Sequence, residues 1–183
     1  VANSGDSPNV WAFDTPRADT PAATRLTSLG SVTDGADDGI GIDHFRRDVA
    51  DRFLDGDKHL DGIAGFLGLQ HASFEPGVFV CDMPITDELV TMIGNIHGGC
   101  ISAQVDHCLG VTLYPHMPKG YWAATTEFKI NLLAPVSTGV CRATATIMAM
   151  TKRTAVLRIN VENEGRLVAA AQGTCTVQPP RKR

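Results

Sequence analysis

The chain has 183 residues, a formal net charge of -4 and a pI near 5.8. That length suits one domain with a tail and suffices for a real core, while the mild acidity offers no electrostatic footprint for nucleic acid. No apolar run approaches the eighteen or so residues of a membrane-spanning helix, and the N-terminal stretch holds no apolar segment behind a basic start, so the expectation is a cytoplasmic protein with no membrane span.

Residues 1–42 are rich in Asp, Thr, Ser, Pro, Ala and Gly without periodicity, as in SVTDGADDG, and are expected to form an irregular N-terminal arm with Trp11 and Phe13 as aromatic anchors. The domain proper is expected over 43–183. It opens on an amphipathic helix, since Phe45, Val49, Phe53 and Leu54 recur at helical spacing, and a second short helix follows near 60–67. Strand patterns at 69–75 and 78–85 flank Pro76-Gly77 and predict a hairpin. A turn or short helical piece at 86–89 leads into a long helix that Pro115 terminates. Strands over 122–133, 139–151, 154–162 and 167–177 close the series, with turns at Thr151-Lys152-Arg153 and Asn163-Glu164-Gly165. One long apolar helix ahead of long strands is an α+β layout, in which a curved antiparallel sheet must wrap the helix to bury it.

Cys81, Cys100, Cys108, Cys141 and Cys175 fall in apolar segments, form no CxxC pair and are odd in number, which reads as reduced core residues. His44, His59, His71 and His116 lack the close spacing of a metal site, so no metal is expected.

The long helix carries the chemistry. His97-Gly98-Gly99 opens it, and from Gly98 to Tyr114 the only carboxylate is Asp106, nine residues after the histidine. The glycines leave the opening amides uncovered; such amides have no intrahelical partner and attract developing negative charge. The helical neighbours of Asp106 are Ser102, Ala103, Leu109 and Gly110. Three of these are small, which leaves the acid an open approach while Ile101, Val105, Cys108, Val111 and Thr112 pack the other faces. Amide donors and a buried carboxylate on one helix suit acyl transfer. The structural alternative is a buried acid satisfied by the backbone or by His107. His107 itself points about 100° away around the helix and reads as a core or interface histidine.

Ile93-Gly94-Asn95-Ile96-His97-Gly98-Gly99, continuing to Val105-Asp106, resembles the signature of hotdog-fold acyl-CoA thioesterases of the phenylacetate-degradation (PaaI-like) group, within the 4-hydroxybenzoyl-CoA thioesterase superfamily. The segments 125–135 and 165–173 resemble later strands of the same group, so the likeness runs from about residue 60 to 177. The resemblance implies hydrolysis of an acyl-CoA thioester to a carboxylate and free coenzyme A, which enters as part of the substrate, with no separate cofactor. It also implies a homodimer or dimer of dimers in which the glycine end and the acid meet across a two-fold axis. Gly98 and Gly99 would then donate amides to the thioester carbonyl, and Asp106 would act as general base or as nucleophile. His97 would hold the loop or touch the pantetheine arm, and Thr125 would stand near the attacking water.

Many members of that group carry Asn six residues before the histidine. Here the position is Thr91, with Asn95 close by, so both are carried as candidate polar contacts to the substrate. Lys152 and Arg153 are candidates for the phosphates of coenzyme A, and Phe66, Phe74, Trp122 and Phe128 for the acyl pocket. Two other functions remain open. A hotdog acyl-thioester hydratase or dehydratase would be expected to show a His-x-x-x-Pro-Gly pattern, absent here. A noncatalytic acyl-CoA-binding protein would be expected to lack the helix acid.

Overall fold

The computed structural model describes residues 39–55 and 60–180. The arm expected over 1–42 therefore lies outside the described residues except for 39–42. Those four residues already belong to the folded unit: Ile40 packs against the core, and the Gly41 N–H donates to the His116 carbonyl at 3.3 Å.

The elements run α1 (Arg47–Asp55), α2 (Gly62–Phe66), β1 (Gln70–Glu75), β2 (Val78–Pro84), α3 (Gly98–Val111), β3 (Trp122–Leu132), β4 (Val140–Met150), β5 (Thr154–Asn163) and β6 (Arg166–Gln178), with short 3-10 turns at Asp87–Leu89 and Tyr114–His116. The first helix begins four residues later than the periodicity from Asp43 suggested. Tight turns fall where the punctuation placed them. Gly77 turns the first hairpin at φ 74°, and Glu164 and Gly165 turn the last at φ 52° and 77°, a succession of left-handed residues that matches the twist of a two-residue hairpin.

All six strands form one antiparallel sheet in the order β1-β2-β4-β5-β6-β3. The strand that follows α3 does not join β2; it pairs with β6 at the far edge. Helix geometry explains the crossing. Fourteen residues at 1.5 Å each make α3 about 21 Å long, close to the roughly 19 Å spanned by four strand spacings between β2 and β3. The helix packs against β2 through β6 and delivers the chain to the opposite edge.

The core lies between α3 and the inner face of the sheet. Ala143 and Ala145 of β4 and Ala169 and Ala171 of β6 are buried there, and their small side chains let Val105, Cys108 and Leu109 settle close to the strands. Gly173 of β6 is required by the same approach, because a Cβ at that position would stand 2.8 Å from Leu109 Cδ1 and 2.7 Å from Phe128 Cβ. Gln104 of α3 is fully buried and bolts the helix to the sheet. Its Nε2 donates to the carbonyls of Cys81 (3.0 Å) and Cys141 (2.8 Å), while its Oε1 has no partner among the described residues. The five cysteines are free thiols. Among the described residues no helix is long and apolar enough to cross a membrane.

Candidate active site

The chain reaches α3 through a loop clamped at both ends. His97 N–H donates to the Leu89 carbonyl at 2.9 Å, and Ile96 N–H donates to the Val136 carbonyl at 2.7 Å. His97 is the N-cap residue, with extended backbone, and its Nδ1 accepts the Gly99 N–H at 2.9 Å. That bond requires the ring hydrogen to sit on Nε2. It also occupies one of the two amides that the sequence offered to an oxyanion. The Gly98 N–H makes no hydrogen bond among the described residues, and a helix of this length focuses partial positive charge on it. A Cβ there would meet Leu132 Cδ1 at 2.5 Å, so that half-exposed side chain lies directly over Gly98. Gly98, Ile101, Asn95, Leu132, Pro135 and Val136 border a cavity of about 280 Å³.

Thr91 closes a turn in this loop. Its hydroxyl donates to the Asn95 carbonyl at 2.9 Å, and its amide donates to the same oxygen at 2.8 Å, closing the 91–95 turn. The Asn95 side chain accepts a bond from the Ser137 hydroxyl at 2.9 Å, tying that turn to the loop after β3. Asn95 therefore borders the Gly98 cavity, whereas Thr91 shapes the loop behind it.

Two turns along the helix, Asp106 is exposed rather than buried in the single chain. It opens onto a groove of about 510 Å³ shared with Ser102, Ala103, Thr125, Thr126, Glu127 and Phe128. Four successive residues of one strand, 125–128, line the same groove, and β3 is bulged there between Thr125 and Glu127. An extra residue there breaks the alternation of faces and turns the strand locally, a common device beside reactive sites. Thr125 thus comes to the same groove as Asp106. Glu127, which the sequence reading missed, comes with it and is held by the Thr174 hydroxyl at 2.6 Å. The signal was present in its two-residue offset from Thr125 on one strand.

The helix faces expected to pack do so: Ile101, Val105, Cys108, Val111 and Thr112 are all buried. His107 is tied to the fold by a neighbour on β1. His71 Nδ1 lies 3.0 Å from the Phe53 carbonyl, so that nitrogen carries a hydrogen, and His71 Nε2 lies 2.9 Å from His107 Nε2. The geometry is satisfied when His107 donates to a neutral His71, and the two rings stack with centroids 5.2 Å apart. Burial, and then the neighbouring His71, push the His107 pKa down to about 4, against a smaller upward pull from Asp106.

The remaining candidates lie elsewhere. Lys152 and Arg153 sit in the β4–β5 turn beside Tyr121 and Thr176, on a separate pocket from that of Asp106. Of the aromatic candidates, Phe128 lines the Asp106 groove, Phe74 is in the core, and Trp122 and Phe66 are exposed. Among the described residues no group of three or more His, Cys, Asp or Glu is placed to hold a metal ion.

Residues 93–170 match the family model of the thioesterase superfamily. Over 122 residues the chain is 25% identical to the 1,4-dihydroxy-2-naphthoyl-CoA hydrolase of Listeria monocytogenes, a match that covers 66% of this chain and 99% of that protein. Among solved structures, the conserved protein PA5202 of Pseudomonas aeruginosa superposes with a TM-score of 0.62 at 26% identity, over 65% of this chain and 95% of that one. The PaaI protein of the E. coli phenylacetic acid degradation operon gives a TM-score of 0.65 at 22% identity, over 73% and 96%. The curved six-stranded sheet around α3 is the hotdog fold that these structures share. Residues 93–170, the stretch that matches the thioesterase superfamily, contain both the free amide at Gly98 and the acid at Asp106.

Proposed function

We propose that the protein hydrolyses acyl-CoA thioesters to a carboxylate and free coenzyme A, in sites shared between two copies of the chain. The observation that carries this reading is the placement of Asp106 on an open groove of the same helix whose first amide, at Gly98, is unengaged. Gly98 N–H donates to the thioester carbonyl and stabilises the oxyanion as charge grows there. The His97 cap withdraws the Gly99 amide from that role and fixes the turn that presents Gly98. Asp106 activates water as a general base or attacks the carbonyl itself to form an acyl-enzyme anhydride. Thr125 and Glu127 line the same groove and are positioned to order water beside the acid. Coenzyme A leaves as the thiol, and no further cofactor takes part.

The need for two chains follows from helix geometry. Gly98 and Asp106 are eight residues apart, about 12 Å along the axis, whereas an oxyanion donor and the attacking group must lie within hydrogen-bonding reach of one reacting centre. A single thioester spans them only if the acid comes from one chain and the amide from another. A two-fold pair supplies two such sites. The exposed Leu132, Leu133, Met92 and Ile93 around the Gly98 end offer apolar surface for the partner.

The test is a panel of short, long and aromatic acyl-CoA substrates with release of free thiol as the readout, run beside light scattering at assay concentration. Thiol release by a dimer or a dimer of dimers is expected. Hydration of an enoyl-CoA without thiol release, or binding without turnover, would reject hydrolysis, and a fully active monomer would reject the shared site.

A further inference from the structure

A further cavity, of about 410 Å³, lies between α1 and the loop that follows α3. Its walls are joined by specific contacts. Arg46 N–H donates to the Pro115 carbonyl at 2.9 Å, and the Phe53 and Tyr114 rings pack with centroids 5.4 Å apart. The lining is of two kinds. Phe53, Tyr114, Tyr121 and the buried Met117 give it an aromatic and apolar interior; Arg46, Arg52 and Lys119 give it three cations, and no acid among the described residues lines it. Asp48 stands outside the lining and pairs with Arg46 at 3.4 Å and Arg52 at 3.0 Å. Each guanidinium has five N–H donors, so these pairs leave donors for a ligand. Neither tyrosine hydroxyl makes a hydrogen bond among the described residues, and neither is sealed away from water.

We propose that this cavity is a binding site for an aromatic carboxylate, separate from the Gly98 and Asp106 sites. The volume falls within the range of small-molecule pockets, which combine an apolar body with a few polar groups that fix orientation. Three aromatic side chains select a flat ring over a polar ligand, and a guanidinium fork matches a carboxylate in plane and charge. A cationic ligand would meet three like charges with no acid among the described lining residues to offset them. The chemistry is that of a free aromatic acid, and the site stands or falls independently of thioester hydrolysis.

The full chain is titrated with 2-naphthoate, neutral 2-naphthamide and cationic 2-naphthylmethylamine, following the methyl resonance of Met117 by NMR. Saturable shifts are expected with the carboxylate, with at least tenfold weaker binding of the amide and none of the amine. Val49→Trp fills the cavity from α1 and should abolish the effect. Arg46→Gln with Arg52→Gln alters partly or largely exposed side chains, keeps the fold, and should weaken 2-naphthoate about tenfold. Absence of saturable shifts at millimolar 2-naphthoate would overturn the proposal. So would equal binding of the acid and the amide, or undiminished binding by the double arginine variant.

Discussion

Acid should weaken this fold through one identifiable pair, the histidines that join β1 to α3. His107 is favoured in its neutral form by burial and by His71, which puts its folded pKa near 4, against 6.5 for the free side chain. A depressed pKa means that the unfolded chain binds the proton more readily. The pair's contribution is therefore complete above about pH 6.5 and is lost as pH falls toward 4. A shift of this size corresponds to about 3 kcal/mol at the acid limit, and to roughly 2.5 kcal/mol between pH 7 and pH 4.5. His116, also pushed down by burial, adds to the loss in the same direction. Urea unfolding measures it: with a slope of about 2 kcal/mol per molar, the midpoint should drop by about 1 M from this group alone. Carboxylates titrate over the same range, so the decisive comparison is with His107→Gln, whose amide can still donate to His71 Nε2 but does not titrate. The variant should lose less stability than the wild type over the same interval. Equal losses would show that His107 is not held neutral by its surroundings, and the argument from the His71 contact would fail.

Gly98→Ala should stay within about 0.5 kcal/mol of the wild type, because its Cβ meets only Leu132 Cδ1, the tip of a half-exposed side chain that can turn aside; a loss above about 2 kcal/mol that Leu132→Ala does not relieve would contradict that reading. Thr91→Ala should lose about 0.5–1.5 kcal/mol for the bond to the Asn95 carbonyl while keeping kcat/KM within a few-fold; a tenfold loss in a folded protein would give Thr91 a part in the reaction. Leu133→Lys, at an exposed apolar position at the end of β3, should shift the protein toward monomer by light scattering and lower thiol release in parallel. An active variant of unchanged size would move the interface elsewhere.

Much of this fold was legible because its signals are local. The alternation of β4 and β5, the Pro76-Gly77 and Glu164-Gly165 turns and the apolar faces of α3 each follow from residues adjacent in sequence. What was not legible depended on contacts between distant segments. Nothing near Trp122 announces that β3 pairs with β6 rather than with β2, since that is set by the length of α3 and its path across the sheet. That Asp106 opens onto a groove beside the bulged stretch of β3 depends on where that strand lies against α3, a contact between distant segments. Gln104 reads as an ordinary polar helix residue until two strands place carbonyls against it. The capping role of His97 depends on a ring turned back toward Gly99, a rotamer that residue spacing does not specify.

The most direct test of the account is thiol release by Asp106→Asn, measured on the best acyl-CoA substrate with folding and oligomeric state verified beside it. The amide keeps the shape of the side chain but can serve neither as base nor as nucleophile. A fall of about 10²–10⁴-fold in kcat with an intact dimer is predicted. Turnover at the wild-type rate by a folded, dimeric Asp106→Asn protein would remove the acid from the mechanism and with it the proposed site.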